Sequence, residues 1–302
     1  MDFFQNYIRD CIRNYSPCET GKCVDENCNC HCREKKSCTD CLSDMFNNEE
    51  HANRVYKCIP ITFSYVIRYT NRYASEIYTV LRCKLVSNTF QNIKKLNVLS
   101  IGCGPATELV ALEKFSREIN KKIRYFGFDP NSIWESAQNT LQTCLVNTNC
   151  DADFYSSEFQ DNNEILPKID ILILNYIVSD IYKHNRDGVE KFLENITKII
   201  KKMKKNSIII INDVNSCNMG RDEIENWLNE LDKKNYTIAG AYFNYPERYS
   251  KQKFSNLINI KEFPITPLLF DTSSIGGMDR FIDHISECRS AFIMIKKIGG
   301  SS

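Results

Sequence analysis

Apolar and polar positions divide the 302-residue chain into three regimes. Residues 1–57 carry few apolar side chains between their cysteines and show no sustained period, so this stretch reads as a module that cannot bury a core of its own. Over residues 61–85, Tyr65, Tyr69, Tyr73, Ile77 and Leu81 recur every four positions. Ser64, Arg68, Arg72, Ser75, Thr79 and Arg82 fall on the opposite side, which predicts an amphipathic helix after Pro60. From residue 97 short apolar runs alternate with helical patterns. Strands are expected at 97–101, 122–129, near 152–156, at 169–174 and within 206–216. Helices are expected at about 105–120, 134–146, 188–205 and 220–233, with one more after the fourth strand. Such alternation predicts a parallel α/β sheet covered on both faces. Two further strands, 236–244 and 288–298, close the chain, and the 245–287 segment between them reads as an insertion that caps a substrate, or else as a surface embellishment.

The stretch NVLSIGCGPATEL, residues 97–109, organises the rest. An apolar strand runs into Gly102 and Gly104, which let the backbone turn sharply, and Pro105 pre-sets φ for the incoming helix. A row of backbone N–H groups at a helix N-terminus is then expected to face a nucleotide-like ligand. A dinucleotide fingerprint requires a third glycine where Thr107 stands, which weakens that alternative. The second strand, IRYFGFDPN, delivers Asp129, followed by Pro130, to the same sheet edge. A carboxylate there suits the two hydroxyls of a ribose.

This strand, GxG turn, helix, strand and Asp arrangement resembles class I S-adenosylmethionine-dependent methyltransferases over roughly residues 96–298. The resemblance implies a seven-stranded Rossmann-like sheet with the last strand inserted beside the fifth. It also implies a cofactor site formed by Ser100, Gly102, Cys103, Gly104, Asp129 and Pro130, with Glu158 toward the adenine and Asn175 nearby. Asn175 and Tyr176, at the exit of the fourth strand, become the candidates for orienting the methyl acceptor. Two positions depart from the family pattern: Ser100 replaces the usual acid before the first glycine, and Ala106 replaces the third loop glycine. Asp213 and Asn215, at the fifth strand's exit, are candidate substrate contacts, and His184 reads as a surface residue.

Cysteine usage changes the picture at the N-terminus. Eight of the fifteen cysteines, Cys11, Cys18, Cys23, Cys28, Cys30, Cys32, Cys38 and Cys41, crowd into one short segment. Eight thiolates match two four-cysteine zinc sites, with His31, His51 or Cys58 as substitutes and an iron–sulfur cluster or a reduced tail as alternatives. The chain is long, the cysteine count is odd and the N-terminus lacks a signal-peptide pattern, so a reducing, cytoplasmic setting is expected. The domain plan is therefore a metal-binding module at 1–57, a helical lead at 58–95 and a methyltransferase domain at 96–302.

Charge discriminates among partners. Lys+Arg number 39 and Asp+Glu 38, which gives no overall pull toward nucleic acid, and no apolar run reaches the roughly eighteen residues a membrane helix needs. Residues 1–57 hold eight Lys+Arg against ten Asp+Glu, so that module favours a protein contact. Residues 58–96 hold six Lys+Arg against Glu76 alone, and a basic helix bearing tyrosines suits RNA, while tyrosines at helical spacing also suit a buried core. The function expected first is an RNA methyltransferase, with a methyltransferase of proteins or small molecules and a cofactor-sensing or scaffold protein without catalysis as alternatives.

Overall fold

The computed structural model describes residues 2–16, 42, 56, 58–159, 166–216, 219–243, 260–263, 266–278, 281 and 287–299. Eight strands form one sheet in the order β3-β2-β1-β4-β5-β8-β6-β7. They are β1 Lys95–Ile101, β2 Lys122–Phe128, β3 Cys150–Tyr155, β4 Ile171–Asn175, β5 Ile208–Val214, β6 Tyr236–Phe243, β7 Ile260–Phe263 and β8 Ser290–Lys297. The first five run parallel. β8 inserts antiparallel between β5 and β6, as the resemblance implied. The expectation of seven strands falls one short. IKEF, inside the supposed cap, pairs in parallel with Gly240–Phe243 of β6 and covers an edge whose N–H and C=O groups were otherwise open.

Helices cover both faces. On one lie α1 (Phe3–Asn14), α2 (Ile59–Leu81), α3 (Glu108–Ile119) and α4 (Glu135–Cys144), sharing a core with Val98, Ile123, Ile171, Ile208 and Phe292. On the other lie α5 (Ile177–His184), α6 (Gly188–Lys202) and α7 (Arg221–Glu230), packed on Leu99, Leu172, Ile209 and Ile293. Alternate residues of one strand feed the two cores, which is why the central strands read as unbroken apolar runs.

Two elements depart from the sequence-based plan. α1 belongs to the sheet's own core: Phe3, Phe4, Tyr7, Ile8 and Cys11 form its buried stripe, and Phe4 meets the ring of Phe270 at 5.0 Å. The cysteine-rich stretch is therefore preceded by a helix with an ordinary apolar face. α2 is buried almost all round, Ser64, Ser75 and Glu76 included. Ser64 and Thr70 keep buried hydroxyls without a hydrogen bond among the described residues, while Asn71, Ser75 and Glu76 find partners inside the protein. Asn71 donates from Nδ2 to the carbonyl of Phe270 (2.8 Å), Phe270 N–H donates back to Asn71 Oδ1 (3.3 Å), and Ser75 Oγ accepts from Leu269 N–H (2.8 Å). The described part of the 245–287 segment thus seals α2, and residues 245–259, 264, 265, 279, 280 and 282–286 of the expected cap lie outside the described residues.

Candidate active site at the carboxyl edge of the sheet

The turn from β1 to α3 holds three left-handed residues in close order, Gly102 (φ 66°), Gly104 (φ 51°) and Ala106 (φ 57°). Ala106 adopts a conformation that disfavours a Cβ, which makes it a strained position next to the crevice. Most of the loop amides are not free as the sequence suggested. Gly102 and Cys103 both donate to the carbonyl of Phe128 (2.8 and 3.1 Å), Ala106 donates to Cys103 O (2.8 Å), and Gly104 donates to Asp129 Oδ2 (2.8 Å). The loop is tied to the end of β2 before any ligand arrives. Gln138, on α4, adds a bond from Nε2 to Gly104 O (2.7 Å).

Asp129 accepts from Gly104 through one oxygen and from Asn131 N–H (2.9 Å) through the other, leaving each oxygen a further lone pair. Burial raises its pKa, those two N–H groups pull it back, and the carboxylates of Asp180 and Glu108 push it up further. Glu108 itself is 1% exposed and accepts at Oε1 from Ser100 Oγ (2.5 Å) and Tyr125 Oη (2.7 Å). Burial raises its pKa too, opposed by those two donors. Ser100 thus lacks the family's acid but holds another carboxyl group supplied by α3. Three carboxyl groups gather around one loop.

The fourth-strand exit is equally connected. Asn175 donates from Nδ2 to Thr107 Oγ1 (3.4 Å), and its Oδ1 accepts from Asn212 Nδ2 (2.9 Å). Tyr176 is left-handed at φ 58° and donates its N–H to Asn212 O (2.7 Å). Its hydroxyl donates to Glu76 Oε2 (2.8 Å) and accepts from Arg72 Nη2 (3.1 Å). Burial raises the pKa of Tyr176 well above that of an ordinary phenol, with Arg72 opposing and Glu76 adding, so the hydroxyl stays protonated. Glu76 is fully satisfied: it also accepts from Asn212 Nδ2 (3.1 Å), Arg72 Nε (3.2 Å) and the Arg289 backbone N–H (2.8 Å). Asp213 turns to the other face and accepts from the first N–H groups of α5, Val178 (2.9 Å) and Ser179 (3.1 Å).

A row of aromatic rings joins the two ends. Gly104 lies against the Trp134 indole, Trp134 meets Tyr65 at 5.4 Å, Tyr65 meets Tyr69 and Tyr73 at 5.0 and 6.1 Å, and Tyr73 meets Tyr176 at 4.1 Å. α2 therefore roofs the carboxyl edge with tyrosines.

Of the residues expected from sequence, the fold brings Ser100, Gly102, Cys103, Gly104, Asp129, Asn175 and Tyr176 to one edge. The Cys103 thiol is buried in the core, so only its backbone addresses the loop. Pro130 and Glu158 are exposed. Cys11 is buried beside Tyr7 and its thiol pKa is raised by that burial. Among the described residues no group of three or more His, Cys, Asp or Glu could hold a metal ion. Cys18, Cys23, Cys28, Cys30, Cys32, Cys38, Cys41, His31 and His51 lie outside the described residues. Among the described residues no helix is long and apolar enough to cross a membrane. The sequence reading missed Glu108, Gln138 and Asn212 as site residues, and noted Glu76 only as the lone acid of a basic stretch.

No protein-family model matches the chain, and no curated protein matches it. Solved structures do resemble it. A candidate class I S-adenosylmethionine-dependent methyltransferase from Listeria monocytogenes aligns with a TM-score of 0.49 at 9% identity, covering 100% of this chain and 90% of that one. Plantazolicin methyltransferase, solved with SAH, gives 0.45 at 13% identity over 87% of this chain and 95% of that one. Ribosomal protein L11 methylase from Lactobacillus delbrueckii subsp. bulgaricus gives 0.37 at 12% identity over 72% of this chain and 78% of that one. The strand order and the inserted antiparallel β8, not these scores, carry the description of the fold.

Proposed function

We propose that the protein is an S-adenosylmethionine-dependent methyltransferase. The observation that carries the reading is the bond from Gly104 N–H to the Asp129 carboxylate, which locks a left-handed loop and a ribose-competent acid into one crevice. The clustering of Asp129, Asp180 and Glu108 adds electrostatic support, because a negative crevice favours a cationic cofactor. When bound, the cofactor supplies an activated methyl group on a sulfonium. The protein's residues then bind, orient and exclude water. Asp129 offers its spare lone pairs to the ribose hydroxyls, and the loop backbone gives the ligand a close approach. Asn175 and Tyr176 shape the far end, held by Asn212 and Glu76, so that an acceptor meets the methyl group in line.

A small-molecule acceptor is the reading the geometry supports best. RNA, the first choice from the sequence, rested on α2 presenting a basic, tyrosine-bearing face, whereas Arg72 is turned onto Glu76 and Tyr176. Zinc or another metal in the cysteine-rich stretch remains a proposal about residues 17–41, and no step of the reaction is assigned to it.

Calorimetric titration with S-adenosylhomocysteine tests the cofactor. Wild-type protein should bind it, and Asp129→Ala should lose about tenfold or more in affinity, the loss of two charge-assisted hydrogen bonds. Unchanged affinity in the variant, or no binding by the wild type, would refute the placement. Incorporation of tritiated methyl into RNA, protein and metabolite fractions of a cell extract then separates the acceptor classes.

A further inference from the structure

We propose that Arg72 is an anchor for an anionic group, a carboxylate or a phosphate ester, on a small methyl acceptor; this deepens the methyltransferase reading and rests on it for the word acceptor, though not for the anion.

Arginine has five N–H donors in a planar fork. Two of Arg72's are committed, Nε to Glu76 and Nη2 to the Tyr176 hydroxyl. Nη1 makes no hydrogen bond among the described residues and is not one of the buried unpartnered nitrogens, so it reaches solvent. The side chain is 15% exposed, against 0% for Glu76. A guanidinium so held, with its ring contacts to Tyr73 (5.6 Å) and Tyr176 (5.8 Å), is oriented before a ligand arrives.

A charge pair alone would be a structural feature. Two observations argue for more. First, Glu76 does not depend on Arg72 for its compensation: Asn212, Tyr176 and the Arg289 backbone also donate to it. The carboxylate is spread over four donors, and the outer edge of the guanidinium keeps positive character. Secondly, charge is segregated along the crevice. Asp129 and Glu108 stand at the β1 loop, and the carboxyl groups of Asp180 and Glu108 both push up the pKa of Asp129, whereas Arg72 bonds to Tyr176 at the β4 exit. A cationic cofactor at the acidic end and an acceptor whose anion reaches the arginine would lie end to end across the row of tyrosines. Binding the anion at a fixed point turns alignment with the methyl group into a geometric constraint. The narrow exposure of Arg72 suits a single anionic group better than a polymer backbone.

The experiment has two arms. Inorganic phosphate and malonate are titrated into the protein at constant ionic strength, with and without S-adenosylhomocysteine, and followed by calorimetry. Wild type should bind at least one of them, Arg72→Gln should weaken that binding tenfold or more, and Arg72→Lys, which keeps the charge but not the fork, should fall between. Should Arg72→Gln fail to fold, Arg72→Lys against wild type carries the comparison. Equal affinity in wild type and the variants, or no anion binding by the wild type, would overturn the proposal. Anion binding at Arg72 without S-adenosylhomocysteine binding would instead overturn the methyltransferase reading and leave the anion site standing. In the second arm, tritium-labelled product from the metabolite fraction should be retained on an anion exchanger at neutral pH. Phosphatase treatment releases the label from a phosphate ester and not from a carboxylate, and either result supports the proposal. Label that flows through, or that appears in RNA, defeats it.

Discussion

At the scale of single residues, two positions near the crevice make sharp predictions. A Cβ on Gly102 would stand 2.3 Å from Ile177 Cδ1, and the residue is left-handed at φ 66°. Alanine there meets both penalties, so Gly102→Ala should destabilise by roughly 1–3 kcal/mol. Gly276 has nothing within 4 Å of such a Cβ, and Gly276→Ala serves as the control in the same thermal melts. Asp213 is buried under the start of α5, and burial raises its pKa from 3.8 to about 6, against the pull of the Ser179, Val214 and Val178 donors. A carboxyl whose folded pKa lies above the unfolded one favours the folded state when protonated. That contribution is complete below about pH 4 and lost as the pH rises through 6. The stability of wild type relative to Asp213→Asn should therefore fall by roughly 2–3 kcal/mol between those limits and level off above them, a shift of about two pKa units. Urea unfolding of both proteins across that range checks it, and a pH-independent difference between them would contradict it.

Among elements, α1 and α2 are the two whose roles periodicity misjudged. α1 sits just ahead of a long cysteine-rich stretch and was absorbed into it, yet its buried stripe of Phe3, Phe4, Tyr7, Ile8 and Cys11 is a normal amphipathic signal. Phe4 is 1% exposed, so Phe4→Ala should cost about 3–5 kcal/mol in urea unfolding, the range for a large aromatic removed from a core. A cost under about 1 kcal/mol would place α1 outside the cooperative unit. In α2 the apolar stripe is legible in the sequence, but its polar side reads as the outer face of an amphipathic helix and is instead mostly buried. Helical period records that polar residues repeat; it does not distinguish a polar group facing water from one facing Phe270 O or Tyr176. The Gly loop fared differently. Gly102 and Gly104 were legible because an unusual backbone needs residues without a Cβ, while Ala106 in the same conformation carried no such mark.

For the whole molecule, the thiols offer a test of how the cores close. Cys11, Cys103, Cys150 and Cys288 are buried, and burial raises each of their pKa values, that of Cys150 to about 12. Because the thiolate is the reactive form, iodoacetamide should label these four at least tenfold more slowly in the native protein than in urea, as peptide mapping by mass spectrometry would read. Rapid native labelling of Cys103 or Cys288 would mean that the face under α2 opens readily. The order of every strand but β7, the β1 loop, the position of Asp129 and the fourth-strand exit were legible in the sequence alone, since strand period, glycine placement and helix starts are local properties of the chain. Tertiary structure alone decided that Glu76 meets Tyr176, 100 residues away, that Glu108 comes to lie on Ser100, and that IKEF closes the sheet edge. Those depend on which surfaces meet when helices and loops are laid across a sheet, and no local period encodes which surfaces those are.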